Sequence, residues 1–209
     1  LSVIYEIFRP EDTDAMVHLL GEAFTRRDPP AVAVGLSAVD FESLVRLYCS
    51  KAAAEELTIV ARESSNQPLA GVLLAEDYAS PTPEGMDQLS AKFEPIFDIL
   101  GQLETEYRSG LAGPRKSIHL FLLGVAEFAS DRGVAQGLVS TCLENAARNG
   151  YQYAVTEATH PVSQHIFRKL GFAERVRRSY AEYRFDGQAP FASIANQGGP
   201  ILMDKTLVE

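Results

Sequence analysis

Residues 132–149 read Arg132-Gly133-Val134-Ala135-Gln136-Gly137-Leu138-Val139-Ser140-Thr141-Cys142-Leu143-Glu144-Asn145-Ala146-Ala147-Arg148-Asn149, shortly after the apolar run His119–Val125. A glycine-punctuated loop leads from a strand into a helix whose Val134, Leu138, Cys142 and Ala146 recur at helical spacing. Glycines allow close backbone approach, and the first helical turn presents unpartnered N–H groups at the positive end of the helix dipole. Such a junction suits a phosphate or pyrophosphate group. The plainer reading is a tight strand-to-helix turn, since glycine pairs occur in many unrelated chains.

A second segment lies further on. Ser163-Gln164-His165-Ile166-Phe167-Arg168-Lys169-Leu170-Gly171-Phe172 describes a short helix stopped by glycine and followed by an aromatic strand start. The two segments resemble motifs A and B of the GCN5-related N-acetyltransferases (GNAT), commonly Arg/Gln-x-x-Gly-x-Gly/Ala and a terminal Lys-x-Gly-Phe. Ala135 stands where the family usually has its first motif glycine. The similarity extends toward the insect-type arylalkylamine acetyltransferases in Tyr5-Glu6-Ile7-Phe8-Arg9-Pro10-Glu11-Asp12 and Phe24-Thr25-Arg26-Arg27-Asp28-Pro29-Pro30. Lys92-Phe93-Glu94-Pro95-Ile96-Phe97 and Tyr180-Ala181-Glu182-Tyr183 are similar again. The resemblance implies an α/β fold with a mixed, splayed central sheet flanked by helices, one domain over 1–209, and acetyl-coenzyme A as co-substrate.

Composition narrows the functional classes. A chain of 209 residues, 46% of them hydrophobic, supports one substantial core and would cramp a second. Nineteen Lys and Arg against 28 Asp and Glu give a net charge of −9, which disfavours nucleic acid or an anionic membrane as partner and suits a cationic amine. Cys49 and Cys142 match neither a disulfide framework nor a metal pattern, and His18, His119, His160 and His165 lack cysteine companions at zinc spacing, so no metal is expected. Both thiols are expected to be buried. No apolar run approaches the roughly 18–20 residues of a membrane span, and a cytoplasmic protein is expected. Oligomeric state stays open, a homodimer being the commonest assembly.

Periodicity sets out the elements. Val3–Phe8 alternates as a strand, and Asp12 or Thr13 caps a helix through Met16, Leu19, Leu20, Ala23 and Phe24 that ends before Asp28-Pro29-Pro30. Asp40 caps a second helix, and Leu57–Arg62 and Leu69–Glu76 form a strand pair. Phe93, Ile96, Phe97, Leu100, Leu103 and Tyr107 mark a long helix with Pro95 in its first turn. The strand His119–Val125 reads as apolar on both faces, in keeping with a central position. Strand Tyr153–Glu157, helix Val162–Leu170, strand Phe172–Phe185 and strand Ile201–Leu207 complete the chain, with Gly187–Pro200 a loop long enough to reach over a ligand.

Acetyl transfer to an amine needs a neutral nitrogen, oxyanion stabilisation and a proton for the departing thiolate. The resemblance places the pantetheine arm against the end of the strand at Leu123, Gly124 and Val125, and the pyrophosphate on Arg132, Gly133, Val134, Ala135, Gln136, Gly137 and Leu138. It also makes Asp28 the first choice for the base, where the plainer reading is a turn acid before proline. Glu127, at the strand end where several family members keep a base, is about equally a solvated loop carboxylate. Residues 125–131 are about two longer than the family usually allows, so register there is open.

Phe167 occupies the place of the tyrosine that often serves as acid, and a phenyl ring donates no proton. The hydroxyls of arylalkylamine-type relatives map onto Thr159 and Ser163, although Ser163 equally suits the cap region of the short helix. His160 is read as a His-Pro turn, and Arg168, Lys169, Arg175, Arg177 and Arg178 as a solvated basic face. The activity expected is transfer of acetyl to a primary amine, an arylalkylamine being one candidate, by direct attack. The alternative from another class is a non-catalytic acyl-coenzyme A binding module that senses its ligand. A doubly wound nucleotide-binding domain explains the glycine loop but not Lys169-Leu170-Gly171-Phe172.

Overall fold

The computed structural model describes residues 2–207; residues 1, 208 and 209, the ends of the expected 1–209 unit, lie outside the described residues. In chain order the elements are β1 Ile4–Ile7, α1 Thr13–Arg27, α2 Pro29–Ala33, α3 Ala38–Glu55, β2 Ile59–Arg62, β3 Leu69–Asp77, α4 Glu94–Ser109, β4 Ser117–Val125, α5 Val134–Arg148, β5 Tyr153–Ala158, α6 Pro161–Lys169, β6 Ala173–Arg177 and β7 Ile201–Thr206. All seven strands form one sheet in the order β1-β2-β3-β4-β5-β7-β6. Among the described residues only β4 and β5 run parallel; the other neighbours are antiparallel. The sheet is therefore mixed, with helices on both faces as the resemblance implies.

The two faces bury separate cores. α1, α3 and α4 cover one with Met16, Leu20, Leu44, Val45 and Ile99, and α5 and α6 cover the other with Val134, Leu138, Cys142 and Phe167. Two glycines let helices press onto the strands. A Cβ on Gly124 would stand 2.8 Å from Leu20 Cδ2 of α1, and one on Gly71 2.9 Å from both Leu138 Cδ1 and Val134 Cγ1 of α5.

β4 changes face along its length. Leu74 pairs Leu122 while Ala75 pairs Leu120, so Phe121 is the extra residue of a β-bulge. Before it, Ile118 and Leu120 point into the α5/α6 core; after it, Leu122 joins the opposite core and Gly124 faces α1. An insertion of one residue reverses every later side chain, because strand alternation has period two.

Several elements depart from the sequence reading. α3 begins at Ala38, capped by Ser37: the Asp40 N–H donates to Ser37 Oγ (3.1 Å) and the Ser37 N–H to Asp40 Oδ2 (3.0 Å), a capping box in which Asp40 is the reciprocal partner rather than the cap. β4 extends back to Ser117 and is not apolar on both faces, since His119 lies in it. β6 ends at Arg177, and the expected strand to Phe185 is replaced by turns. Its tyrosines are held by side-chain hydrogen bonds instead: Tyr180 donates to Thr159 O (2.8 Å) and Tyr183 to Asp98 Oδ2 (2.5 Å). The 187–200 segment, expected as a loop, is anchored to the fold. Phe191 and Ile194 are buried and its 3-10 turn, Ala192–Gln197, packs against α2. Cys142 is buried as expected, whereas Cys49 is half-buried on α3.

Candidate active site

The parallel pair β4/β5 is short. It holds for Ser117↔Tyr153, Ile118↔Ala154 and His119↔Val155, after which the strands diverge at the bulge; Thr156 Oγ1 donates to Leu120 O (2.9 Å) across the fork. A cavity of about 180 Å³ occupies the opening. Its walls include Leu123, Gly124 and Val125 from β4, Glu157 and Thr159 from β5 and its end, Asp28 from the end of α1, and Ser163 and Phe167 from α6. Aromatic rings form the side under α1, α3 and α4. Phe24 stacks on Phe41 (4.7 Å) and Phe93 on Phe97 (5.3 Å).

The backbone of β4 faces the opening in alternation. The Ala126 N–H donates to Ala70 O (2.9 Å) and Val72 pairs Gly124, so residues 124 and 126 direct their N–H and C=O to β3. Leu123 and Val125 then turn theirs toward the gap. Two N–H donors on a fixed strand, with no neighbouring strand to receive them, are placed to pair with an extended amide chain or to meet an oxyanion.

Asp28 ends one helix and starts the next. Its N–H donates to Phe24 O (2.9 Å), closing α1, while its carboxylate caps α2, Oδ2 accepting from the Ala31 N–H (3.1 Å). Oδ1 accepts from Thr159 Oγ1 (2.5 Å), and the Thr159 carbonyl in turn accepts from Tyr180. Burial raises the carboxyl to about 6, against the opposing pull of the Thr159 and Ala31 hydrogen bonds. It titrates near neutrality, in the range useful to a proton acceptor. The turn role and a chemical role are compatible, because the cap uses Oδ2, while Oδ1 is bonded to Thr159, itself a lining residue of the cavity.

Ser163 Oγ donates to His160 O (2.8 Å), and the cap of α6 is His160, whose Nδ1 accepts from the Val162 N–H (3.0 Å). That bond leaves the ring proton on Nε2, and burial lowers the imidazole, keeping it neutral. Phe167 is buried edge-to-face on Phe172 (5.0 Å). Thr159, His160 and Ser163 thus gather beside Asp28.

Glu127 is not brought to this cavity. The additional residues after β4 are taken up by a 3-10 turn, Glu127–Ala129, which swings its side chain outward: it is 82% exposed and paired with Arg26 (3.3 Å). Residues 132–138 also lie apart, at the start of α5. Gly133 is in the left-handed region (φ 75°) at the helix cap, no side chain caps the helix, and the space above Gly133 is open. The backbone at 134–136 therefore fits an anion. Arg132 is paired with Glu63 (2.5 Å), Val134 and Leu138 are core residues, and the Gly137 N–H is used within the helix, donating to Gly133 O (3.0 Å). Gly137 is required by Tyr5 of β1, whose hydroxyl sits where its Cβ would be. The arginines of the basic face are ion-paired: Arg168 pairs Glu174 (2.5 Å), which Arg177 shares, Arg175 pairs Asp204 (2.7 Å) and Arg178 pairs Glu106 (2.8 Å).

The sequence reading did not identify the charged chain on the far wall. Glu157 Oε2 meets His119 Nε2 (2.6 Å), His119 Nδ1 meets Glu76 Oε1 (3.0 Å), and Glu76 pairs Lys51. Burial lowers the imidazole, but Glu157 and Glu76 overcome this and raise it to about 10, so His119 donates from both nitrogens. The sole signal available was an ionisable residue at the start of an apolar strand.

No family model matches the chain. Among solved structures it is similar to the C-terminal condensation domain of Ebony in complex with β-alanyl-dopamine (TM-score 0.89, 18% identity, 99% of each chain covered). It is also similar to arylalkylamine N-acetyltransferase 2 from Aedes aegypti (0.81, 19%, 100% of each chain). A third likeness is to the polyamine N-acetyltransferase of Drosophila melanogaster (0.76, 17%, 98% of this chain and all of that one). The chain has the GNAT fold that these N-acetyltransferases share.

Proposed function

We propose that this protein transfers an acyl group from a pantetheine thioester, acetyl-coenzyme A in the first instance, to the nitrogen of a primary arylalkylamine by direct attack. The observation that carries the reading is the forked sheet. It opens a gap beside the β4 amides of Leu123 and Val125 and joins it, in one cavity, to an aromatic recess with a carboxyl raised to about 6. The fold likenesses to amine acetyltransferases support it.

Coenzyme A would supply the activated carbonyl and a thiol leaving group. Leu123 and Val125 would pair its amide-bearing arm, and the uncapped turn at residues 133–136 would meet its pyrophosphate. Asp28, ionised above pH 6, draws the ammonium form of the substrate into the recess and takes its proton. Asp28 passes that proton to solvent; the neutral amine attacks, the C–N bond forms, the C–S bond breaks, and the second proton, lost as the nitrogen becomes an amide, ends on the thiolate, with Thr159 and Ser163 the hydroxyls beside that route. Cys142 takes no part: burial pushes its thiol up to about 12, the reverse of what a nucleophile requires. Thiol release with tyramine tests the reading. Asp28→Asn is expected to be about 10²–10⁴-fold slower above pH 6, converging with wild type as pH falls. Equal rates in the two proteins would overturn it.

A second reading keeps the acceptor and changes the donor to an aminoacyl thioester. It is favoured by the likeness to a condensation domain solved with β-alanyl-dopamine, and by Arg132 being held by Glu63 beside the anion turn. Comparing acetyl with β-alanyl pantetheine thioesters separates the two.

A further inference from the structure

Glu157 is the second carboxylate of the cavity, and the reaction derived above does not use it. Its side chain is 9% exposed. One oxygen is fixed by His119; Oε1 makes no hydrogen bond with the described residues and keeps some accessible surface, and Glu157 lines the cavity. An acceptor oxygen with accessible surface and no protein donor is free to accept from a guest in the cavity. Lys51, Glu76, His119 and Glu157 together are formally neutral with the imidazole charged, and a carboxylate in such a chain offers a guest acceptor oxygens only.

Glu157 faces the same side of the sheet as the aromatic recess. Val155, two residues earlier, packs with Leu103 and Tyr107 of α4, and His119 lies against Phe121 (5.4 Å) and Tyr78 (5.5 Å). Thr159, the partner of Asp28, is two residues further along, about 7 Å at strand rise. A flat guest between the phenyl rings, with its amine toward Asp28, thus has its far end at Glu157. We infer that Glu157, held by His119, accepts a hydrogen bond from a ring hydroxyl and makes the recess selective for phenolic arylalkylamines over unsubstituted ones. This rests on the acceptor reading above.

Calorimetric titration of tyramine, phenethylamine and 1,4-diaminobutane into wild type and Glu157→Gln tests it without requiring turnover. A charge-assisted hydrogen bond predicts tyramine binding about 10- to 100-fold tighter than phenethylamine in wild type. In Glu157→Gln that ratio should fall toward one. A wild-type ratio near one overturns the inference whatever the variant does, which keeps the test valid if Glu157→Gln folds poorly. So does a ratio that survives in a folded Glu157→Gln, or a Glu157-dependent preference for the diamine over tyramine, which would mark a cation site. Tyramine preference without thiol release would leave this inference standing and overturn the catalytic reading. Thiol release without preference would do the opposite.

Discussion

Replacing Asp28 by asparagine separates stability from chemistry. The carboxyl is raised from an ordinary 3.8 to about 6 by burial. The folded state therefore holds its proton over a range in which the unfolded chain has lost it. Because the unfolded state binds fewer protons there, stability falls as pH rises from about 4 to about 6 and then levels off. The ionised carboxylate costs at most about 3 kcal/mol at neutral pH, two pH units at about 1.4 kcal/mol each. Asparagine caps helices as well as aspartate does, but its single oxygen can accept from Ala31 or Thr159 and not both, a loss of about 1 kcal/mol at every pH.

Asp28→Asn should accordingly be less stable than wild type near pH 4 and more stable at pH 8, with a swing of about 2 kcal/mol between the two. Urea unfolding at both pH values reads the swing directly, since every other titrating group cancels in the difference. Thiol release at pH 8 should meanwhile drop. A variant destabilised equally at pH 4 and pH 8 would refute the burial argument. A stabilised variant with undiminished turnover would refute the role of the carboxylate.

Four further outcomes are expected. Gly124→Val drives a branched side chain against Leu20 and Ala23, and should cost about 1–3 kcal/mol in urea unfolding while weakening thioester binding, because β4 must shift. His119→Ala leaves Glu76 and Glu157 without their shared cation and should cost about 3–5 kcal/mol. Wild type should also lose stability as pH rises from 6.5 through about 10, because the folded imidazole retains its proton there, and His119→Ala should not show that loss. Ellman's reagent on the native protein should leave Cys142 unmodified, its labelling appearing only on unfolding.

The parts legible in the sequence are those encoded locally. The strand-to-helix turn at Gly133, the apolar stripe of α5 and the proline stop of α1 each depend on neighbours within a turn or two, so periodicity and caps reveal them. Asp28 was legible through the resemblance and its place before Pro29, but its partner Thr159 is 131 positions away, and no spacing rule joins them. The Lys51-Glu76-His119-Glu157 chain draws on a helix and three strands, and it exists because β4 and β5 pair just up to His119. Glu127 was singled out by the resemblance, at the strand end where several family members keep a base; the 3-10 turn after Val125 carries it out to Arg26. The stretch 172–185 reads as one strand, yet Tyr180 and Tyr183 lie three apart and are placed by their hydrogen bonds to Thr159 and Asp98, which the order of residues does not express.

The most direct test of the account is to incubate the protein with tyramine and either acetyl-coenzyme A or a β-alanyl pantetheine thioester at pH 8 and follow the amine by mass spectrometry. N-acylated tyramine is expected at a rate far above the spontaneous reaction and sharply reduced in Asp28→Asn. Thioester binding demonstrated by calorimetry, with no N-acylated product from either donor, would contradict it and favour a module that senses acyl thioesters.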